Sequence, residues 1–305
     1  MGEPIKQDGR PGTIKTALDD DTFGLVRFDG NEALSELFEY RLEVVSLTKN
    51  IDFDDALGQG VTVTIKTADN KDRYFHGLLI EARWAGQRGD LFVYQLIVRP
   101  WLHLLSLTSN CRIFSKQSVK EIVNTVFSEC GFLFRDDTHG HYPSIEYCVQ
   151  YRETTFAFVS RMLEKWGVYY YFEHADGAHT LVMADQKSCH TACPDLDTVR
   201  YISADQAGRR EIQHLEEWTR GRVVESGKFT LNDYNYDTAT ASMEGERSGS
   251  ASYTHSDEEM YDYPGGYANR GEGDQLAQVN SRRRNHWMTA ERPADPLSRY
   301  FPARW

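Results

Sequence analysis

Cys189, His190 and Cys193 stand within five residues of one another, and soft thiols beside an imidazole are the donors a zinc ion prefers. A closed site takes four ligands, so a further donor such as His179 would have to come from the neighbouring strand. No second cysteine pair exists to complete the set. The spacing therefore reads as a plain loop, and no metal or other cofactor is assigned. Glu153, Glu164 and Glu173 are the carboxylates best placed to work as an acid–base pair. Glu153 falls beside Arg152 at a helix start, where a carboxylate favours the helix dipole, and Glu164 precedes Lys165. Solvated charges are the stronger reading, and no catalytic residue is assigned. Asp52, Asp54 and Asp55 begin like a calcium loop, but its sixth and twelfth places hold Leu57 and Val63 instead of Gly and Glu. Gly58-Gln59-Gly60 is too short for a phosphate loop and reads as a turn. His139-Gly140-His141 reads as surface. Neither a Gly-x-Ser-x-Gly elbow nor a His-Glu-x-x-His helix occurs.

The run Tyr169-Tyr170-Tyr171-Phe172 admits a platform for a sugar or aromatic ligand. Alternation puts Tyr169 and Tyr171 on one face of a strand and Tyr170 and Phe172 on the other. Aromatic residues on both faces favour a core on one side and a protein contact on the other.

The elements that carry these residues are mostly strands. Tyr40, Leu42 and Val44 alternate with Arg41 and Glu43, and Val61, Val63 and Ile65 alternate with Thr62 and Thr64. Asp69-Asn70-Lys71-Asp72 turns the chain into a long strand from Arg73 to Trp84, with Gly77 as an expected bulge. Ala85 to Asp90 reads as the hairpin loop. The returning strand from Leu91 to Arg99 is apolar on both faces, so it is expected to be covered on both. Ser118 to Glu121 is a capping box, followed by Val119, Ile122, Val123, Val126 and Phe127 at helical spacing and a stop at Gly131. A second helix begins near Thr154 or Thr155, carries Phe156, Val159, Met162, Leu163 and Trp166, and stops at Gly167. Strands from Val168 to His174 and from His179 to Asp185 form a hairpin across Ala175-Asp176-Gly177. Strands resume after residue 201, with Val223, Phe229 and Leu231 among them. Residues 279–305 hold six Arg against one Glu and one Asp, net +4, with three prolines and no periodicity, and read as an irregular basic tail.

The whole chain of 305 residues carries 34 basic and 46 acidic side chains, a net charge of −12. Such a chain repels phosphate polymers, so nucleic-acid binding is not expected. No stretch approaches the roughly 20 apolar residues of a membrane helix, and Met1 to Arg10 lacks an apolar signal core, so membrane anchoring and Sec-type export are not expected. Five scattered cysteines read as reduced thiols of a cytoplasmic protein.

Several blocks, in order, resemble the VgrG family, the spike proteins of bacterial type VI secretion. They are Phe38-Glu39-Tyr40-Arg41-Leu42, His76-Gly77, Gln150-Tyr151-Arg152-Glu153-Thr154 to Phe158, and Arg161-Met162-Leu163-Glu164 to Gly167. Tyr169-Tyr170-Tyr171-Phe172-Glu173-His174, His179-Thr180-Leu181-Val182 with Ala184-Asp185, Cys189-His190 with Cys193-Pro194, and Tyr261-Asp262-Tyr263-Pro264-Gly265 continue the likeness. It spans roughly residues 15 to 275.

The resemblance implies an α+β, mainly β fold like the hub of phage tails, with two related β-barrels and an inserted helix and hairpin region. Residues 1–105 would be the first barrel, 106–200 the insertion, 201–278 the start of a second barrel, and 279–305 a divergent tail that leaves this barrel incomplete. The implied function is structural. Three copies form a homotrimeric base that docks the hexameric Hcp tube and supports effectors or adaptors, in the cytoplasm before firing and outside the cell after it. Two barrels in each of three chains match a six-fold tube without a symmetry clash. Past Val279 the likeness is expected to end, as in a truncated copy lacking the OB-like module and needle. A carbohydrate-binding or carbohydrate-cleaving β protein, and a degenerate spike copy, are the competing readings.

Overall fold

A computed structural model describes residues 5–19, 21–67, 70–191, 198–202, 214–215, 224–249 and 252–289. Val223, Cys193-Pro194 and residues 290–305 of the sequence reading lie outside them.

Six strands, β1 (Gly12–Lys15), β2 (Gly24–Asn31), β3 (Glu39–Ser46), β4 (Gly60–Lys66), β5 (Asp72–Arg88) and β6 (Leu91–Arg99), form one antiparallel sheet in the order β1-β4-β5-β6-β3-β2. Its inner face buries Phe28, Tyr40, Leu42, Val44, Val61, Val63, Leu79 and Leu96, the alternation expected for β3 and β4. The sheet curls until its edge strands, β1 and β2, come into contact, with no ladder between them among the described residues.

β5 departs from expectation twice. Its pairing with β6 slips at Leu79/Glu81 and at Trp84/Gly86, so the bulges lie there and not at Gly77. The hairpin strand runs on to Arg88, which leaves Gly89-Asp90 as the turn. After the first slip Ile80 is only half-buried, against the core cluster that holds α1 and α2, and Trp84 beyond it is exposed. β6 is buried at the neighbours Val93 and Tyr94, so both its faces are covered there, and Gln95 beyond them is exposed.

A short 3-10 helix, Trp101–Ser106, leads into β7 (Ser109–Gln117), α1 (Val119–Cys130), β8 (Phe134–Asp136), β9 (Ile145–Thr154), α2 (Thr155–Lys165), β10 (Tyr169–Ala175) and β11 (Ala178–Ala184). The capping box at Ser118 and Glu121 forms in both directions, and Gly131 closes α1 in the left-handed conformation (φ 71°). Thr154 caps α2 by accepting the Ala157 N–H, and Trp166 ends it. β10 and β11 pair as a hairpin, with β8 parallel to β11. β7 and β9 make a separate two-stranded ribbon.

The remaining strands are short. β12 (Arg200–Tyr201) pairs with β13 (His214–Leu215), and β14 (Lys228–Leu231) sits between β15 (Gly245–Ser248) and β16 (Glu259–Asp262). Helix α3 spans Arg270–Thr289. The basic segment from Val279 is therefore helical through Thr289, which corrects the irregular tail expected there. Its start packs by small residues: a Cβ on Gly245 would lie 2.5 Å from the Gly273 carbonyl carbon, so β15 and α3 meet backbone to backbone. Leu231, Met243, Tyr267, Leu276 and Ala277 join α1 and α2 in one core cluster with Trp166.

Candidate functional site

The residues weighed in the sequence as donors and carboxylates each have local partners or stand exposed. His190 Nε2 lies 2.7 Å from the Tyr169 hydroxyl, and its ring stacks on Tyr169 and tilts against Tyr171. The aromatic platform is thus covered by this chain's own imidazole. Cys189 Sγ sits 3.5 Å from Asp185 Oδ1. His179, the fourth donor the zinc reading required, has both ring nitrogens engaged elsewhere. Among the described residues no group of three or more His, Cys, Asp or Glu side chains is arranged to hold a metal ion. Glu153 holds Arg161 through both carboxylate oxygens, and Glu173 holds Arg135 likewise. Arg161 keeps the Glu153 carboxyl below the usual range. Glu164 is exposed on α2. The three carboxylates form no pair. His139 and His141 are exposed, as expected.

Asp185 is the anchor of that loop. Its Oδ2 accepts the His139 N–H (3.0 Å), the Gly140 N–H (2.5 Å) and the Tyr142 hydroxyl (2.8 Å). Burial pushes its pKa up, and these donors outweigh burial and hold it below the usual range. The anchor is thus complete above pH 4 and fails as pH falls through the folded value. Asp185→Ala leaves three donors without their acceptor and is expected to cost about 2 kcal/mol in denaturant unfolding at pH 7. An unchanged midpoint would show that the loop closes without it.

The polar centre that sequence reading missed joins the curled sheet to the β10–β11 hairpin. His76 Nδ1 lies 2.8 Å from His179 Nδ1, and His179 Nε2 accepts the Trp101 N–H at 3.0 Å. His174 Nδ1 accepts the His76 N–H at 3.2 Å, and its Nε2 lies 3.0 Å from the Tyr40 hydroxyl, which donates to Glu32. Burial, first of all, drives His174 and His179 down to about 3 and lowers His76. His174 and His179 face each other in the hairpin register, a pairing the turn at Asp176-Gly177 made legible. No local pattern pointed to His76, which is remote in sequence.

The outward surfaces are the other candidates. One face of the β7–β9 ribbon packs Phe114 on Phe158 of α2, with centroids 5.5 Å apart. The other sets Cys111, Ile113 and Ser115 opposite Tyr151, Val149 and Tyr147. Ile113, Tyr147 and Tyr151 are 62%, 62% and 63% exposed, a contiguous apolar strip of the kind that marks protein contacts. The outer face of the curled sheet is a charge checkerboard. Register aligns Arg27, Glu43, Gln95 and Arg83 in one row and Asp29, Arg41, Ile97 and Glu81 in the next. A groove of about 420 Å³ runs along it. The edge strand β16 is exposed throughout, and Tyr234, Tyr236, Tyr261 and Tyr263 are exposed as well.

The phage tail baseplate hub (GPD) family model matches residues 31–288. The match runs past Val279, where the sequence reading expected likeness to end. The type VI secretion system spike proteins VgrG1b and VgrG1a of Pseudomonas aeruginosa are 36% and 37% identical, over 90% and 87% of this chain. The aligned regions are 37% and 41% of those proteins, so the chain spans about two fifths of the length of these relatives. Among solved structures, the Neisseria meningitidis tail protein shares the fold with a TM-score of 0.57, at 11% identity, over 91% of this chain and 77% of its own. The Escherichia coli c3393 protein, a type VI secretion component, does so with a TM-score of 0.54, at 22% identity, over 63% of this chain and 52% of its own.

Proposed function

Because the chain belongs to the phage tail baseplate hub (GPD) family, we propose that it works by shape, as the trimeric base of a type VI secretion spike. Three copies close a ring, the ring seats the hexameric tube protein Hcp, and effectors or adaptors ride on the spike. The base waits in the cytoplasm and leaves the cell with the spike when the system fires. It performs no catalysis of its own. The observation that carries this reading is the 36% identity to a spike protein across nine tenths of the chain.

The proposed division keeps residues 1–105 as the first barrel, 106–200 as the insertion and 201–278 as the start of the second barrel. Two barrel surfaces in each of three chains offer six quasi-equivalent seats to a six-fold tube. The open apolar face of the β7–β9 ribbon supports a partner contact, since three large side chains lie exposed there. The mixed-charge face of the curled sheet supports docking that weakens with salt.

Light scattering or sedimentation tests the reading directly. The expected mass is that of three chains, and adding Hcp yields one trimer per hexamer, less of it at high salt. A strictly monomeric species at high concentration with Hcp present would overturn the proposal.

A further inference from the structure

The β8 ladder and the Arg135–Glu173 ion pair hold one side of the β10–β11 hairpin. On the side that meets the curled sheet, the hairpin's polar ties run mostly through imidazole rings. Its turn rests on β4 by the Gly177 N–H to Thr62 Oγ1, at 3.3 Å. Away from the turn, the Ser35 N–H donates to the Tyr170 carbonyl at 2.8 Å. Between these points, the polar contacts to Tyr40, His76 and Trp101 all use a ring of His174 or His179. Apolar walls close the space: Phe38 lies 5.1 Å from His174 and 5.6 Å from His179, ring to ring, and Phe172 lies 5.8 Å from His179.

The protons in this space are fixed by the contacts. His179 Nε2 accepts a main-chain N–H, so in the neutral ring the proton sits on Nδ1. That proton points at His76 Nδ1, which must then be bare, with the His76 proton on Nε2. The pair therefore holds one proton between two nitrogens 2.8 Å apart. A second proton on His76 Nδ1 sets two N–H groups against each other. A second proton on His179 Nε2 sets one against the Trp101 N–H. Either addition turns an attraction into a repulsion where water cannot compensate.

We propose that the His76–His179 pair, supported by His174, is an acid-sensitive latch whose protonation releases the β10–β11 hairpin from the curled sheet. The trigger is the proton itself, and the responding element is the hairpin with its anchor residues. This goes beyond the structural role proposed above and needs no partner.

The surrounding charges do not rescue the protonated pair. From the turn, Asp176 favours charge on His76, but burial is the larger influence and lowers it. From β5, Arg73 opposes charge on His174. Beyond β2, Glu32 lies 3.6 Å from His174 Nε2, and the His76 carbonyl oxygen lies 3.1 Å from His174 Nδ1. These two groups can receive a doubly protonated His174, so the latch is assigned to the other two rings. From β3, Tyr40 contributes a hydroxyl whose own ionisation is pushed up by burial and by Glu32. From β4, Gly60 approaches so closely that a Cβ there would lie 2.9 Å from His76 Nε2.

The direction with pH follows from the depressed affinity for protons. An opened ring titrates near its ordinary value of about 6.5, and His179 in the closed state near about 3. The closed hairpin is therefore at full strength above about pH 6.5 and weakens as pH falls from there towards about 3. A ring held like His179 raises the opening equilibrium about twenty-fivefold between pH 7 and pH 5.

Amide hydrogen exchange on the whole chain, corrected for the intrinsic effect of pH, tests this. Protection of residues 169–184 is expected to fall about twenty-fivefold or more from pH 7 to pH 5, while amides of β6 change less. The double variant His76→Leu with His179→Leu should lose most of that pH response. Should the variant fail to fold, ring nitrogen shifts of the native chain decide the matter. His179 should carry its proton on Nδ1 and His76 on Nε2 at pH 7, with His179 not titrating above pH 5 and His76 titrating below its ordinary value while the hairpin is closed. Hairpin protection that is flat between pH 7 and pH 5, or either ring titrating near 6.5 in a hairpin that stays closed, overturns the latch.

Discussion

Trp166→Ala is expected to lower unfolding stability by about 3–5 kcal/mol, measured in denaturant at pH 7. The ring is 5% exposed and lies in the core cluster that gathers α1, α2 and α3. It meets Tyr142 edge on, with centroids 6.4 Å apart. Directly after it, Gly167 turns the chain with φ 70°, and a Cβ there would lie 2.9 Å from Val279 of α3. The cavity therefore opens where three elements converge, and none of them can close it alone. Part of the loss is offset, because the buried indole nitrogen has no hydrogen-bond partner among the described residues. Trp166→Phe keeps most of the volume and removes that polar atom, so its cost is expected to stay below about 1.5 kcal/mol. Equal losses for the two variants would mean the indole nitrogen is bonded after all. No loss for either would mean the helix face is wrong.

What was legible in the sequence is what local chemistry fixes. Ser118 and Glu121 announce α1 because a capping box satisfies two orphan N–H groups within one turn, and Gly131 ends it because only glycine takes that conformation freely. The same holds for α2 between Thr154 and Gly167, and for the β10–β11 hairpin around Gly177. β3 was readable because Arg41 and Glu43 keep its outer face polar, and β4 because threonines alternate with Val61, Val63 and Ile65 even though Thr62 is buried under the hairpin turn. α3 was not readable. Its first half buries Gly273, Leu276, Ala277 and Ser281, mostly small residues that leave no apolar stripe to count. The bulges of β5 were hidden for a related reason, since residues 75–79 are buried on both faces and carry no phase.

The site divides along the same line. Residue types and spacing suggested the local contacts of single carboxylates, and Glu153, Glu173 and Cys189 each sit in a separate contact of that kind. The histidine joint could not be read that way. It brings His76 against His179 across more than one hundred residues, and depends on a sheet and a hairpin that must both form first. For a chain read as working by shape, this is the expected pattern. The informative residues sit where segments meet, and sequence periodicity describes segments one at a time.

Gly77 shows how such a meeting constrains one residue. It lies on β5 directly after the latch histidine, and its type suggested a bulge. The ladder with β4 runs straight through it, pairing Gly77 with Val61. What requires glycine is crowding. A Cβ would stand 2.6 Å from Val98 Cγ1, 2.9 Å from the Arg99 carbonyl oxygen and 3.0 Å from the Phe38 ring. Val98 and Phe38 are both buried in the sheet's core, and the carbonyl is backbone, so none of the three can swing aside cheaply. Gly77→Ala is therefore expected to cost about 3 kcal/mol, at the upper end of overpacking by a single methyl group. Gly77→Val should leave the chain largely unfolded at 37 °C. The damage should spread to the hairpin, because pushing β5 away from β6 moves His76 against His179. Circular dichroism melts of both variants check the first claim, and exchange of residues 169–184 in Gly77→Ala checks the second. An alanine variant as stable as the native chain, with the hairpin fully protected, would mean that β5 and β6 are not held at the separation their register implies.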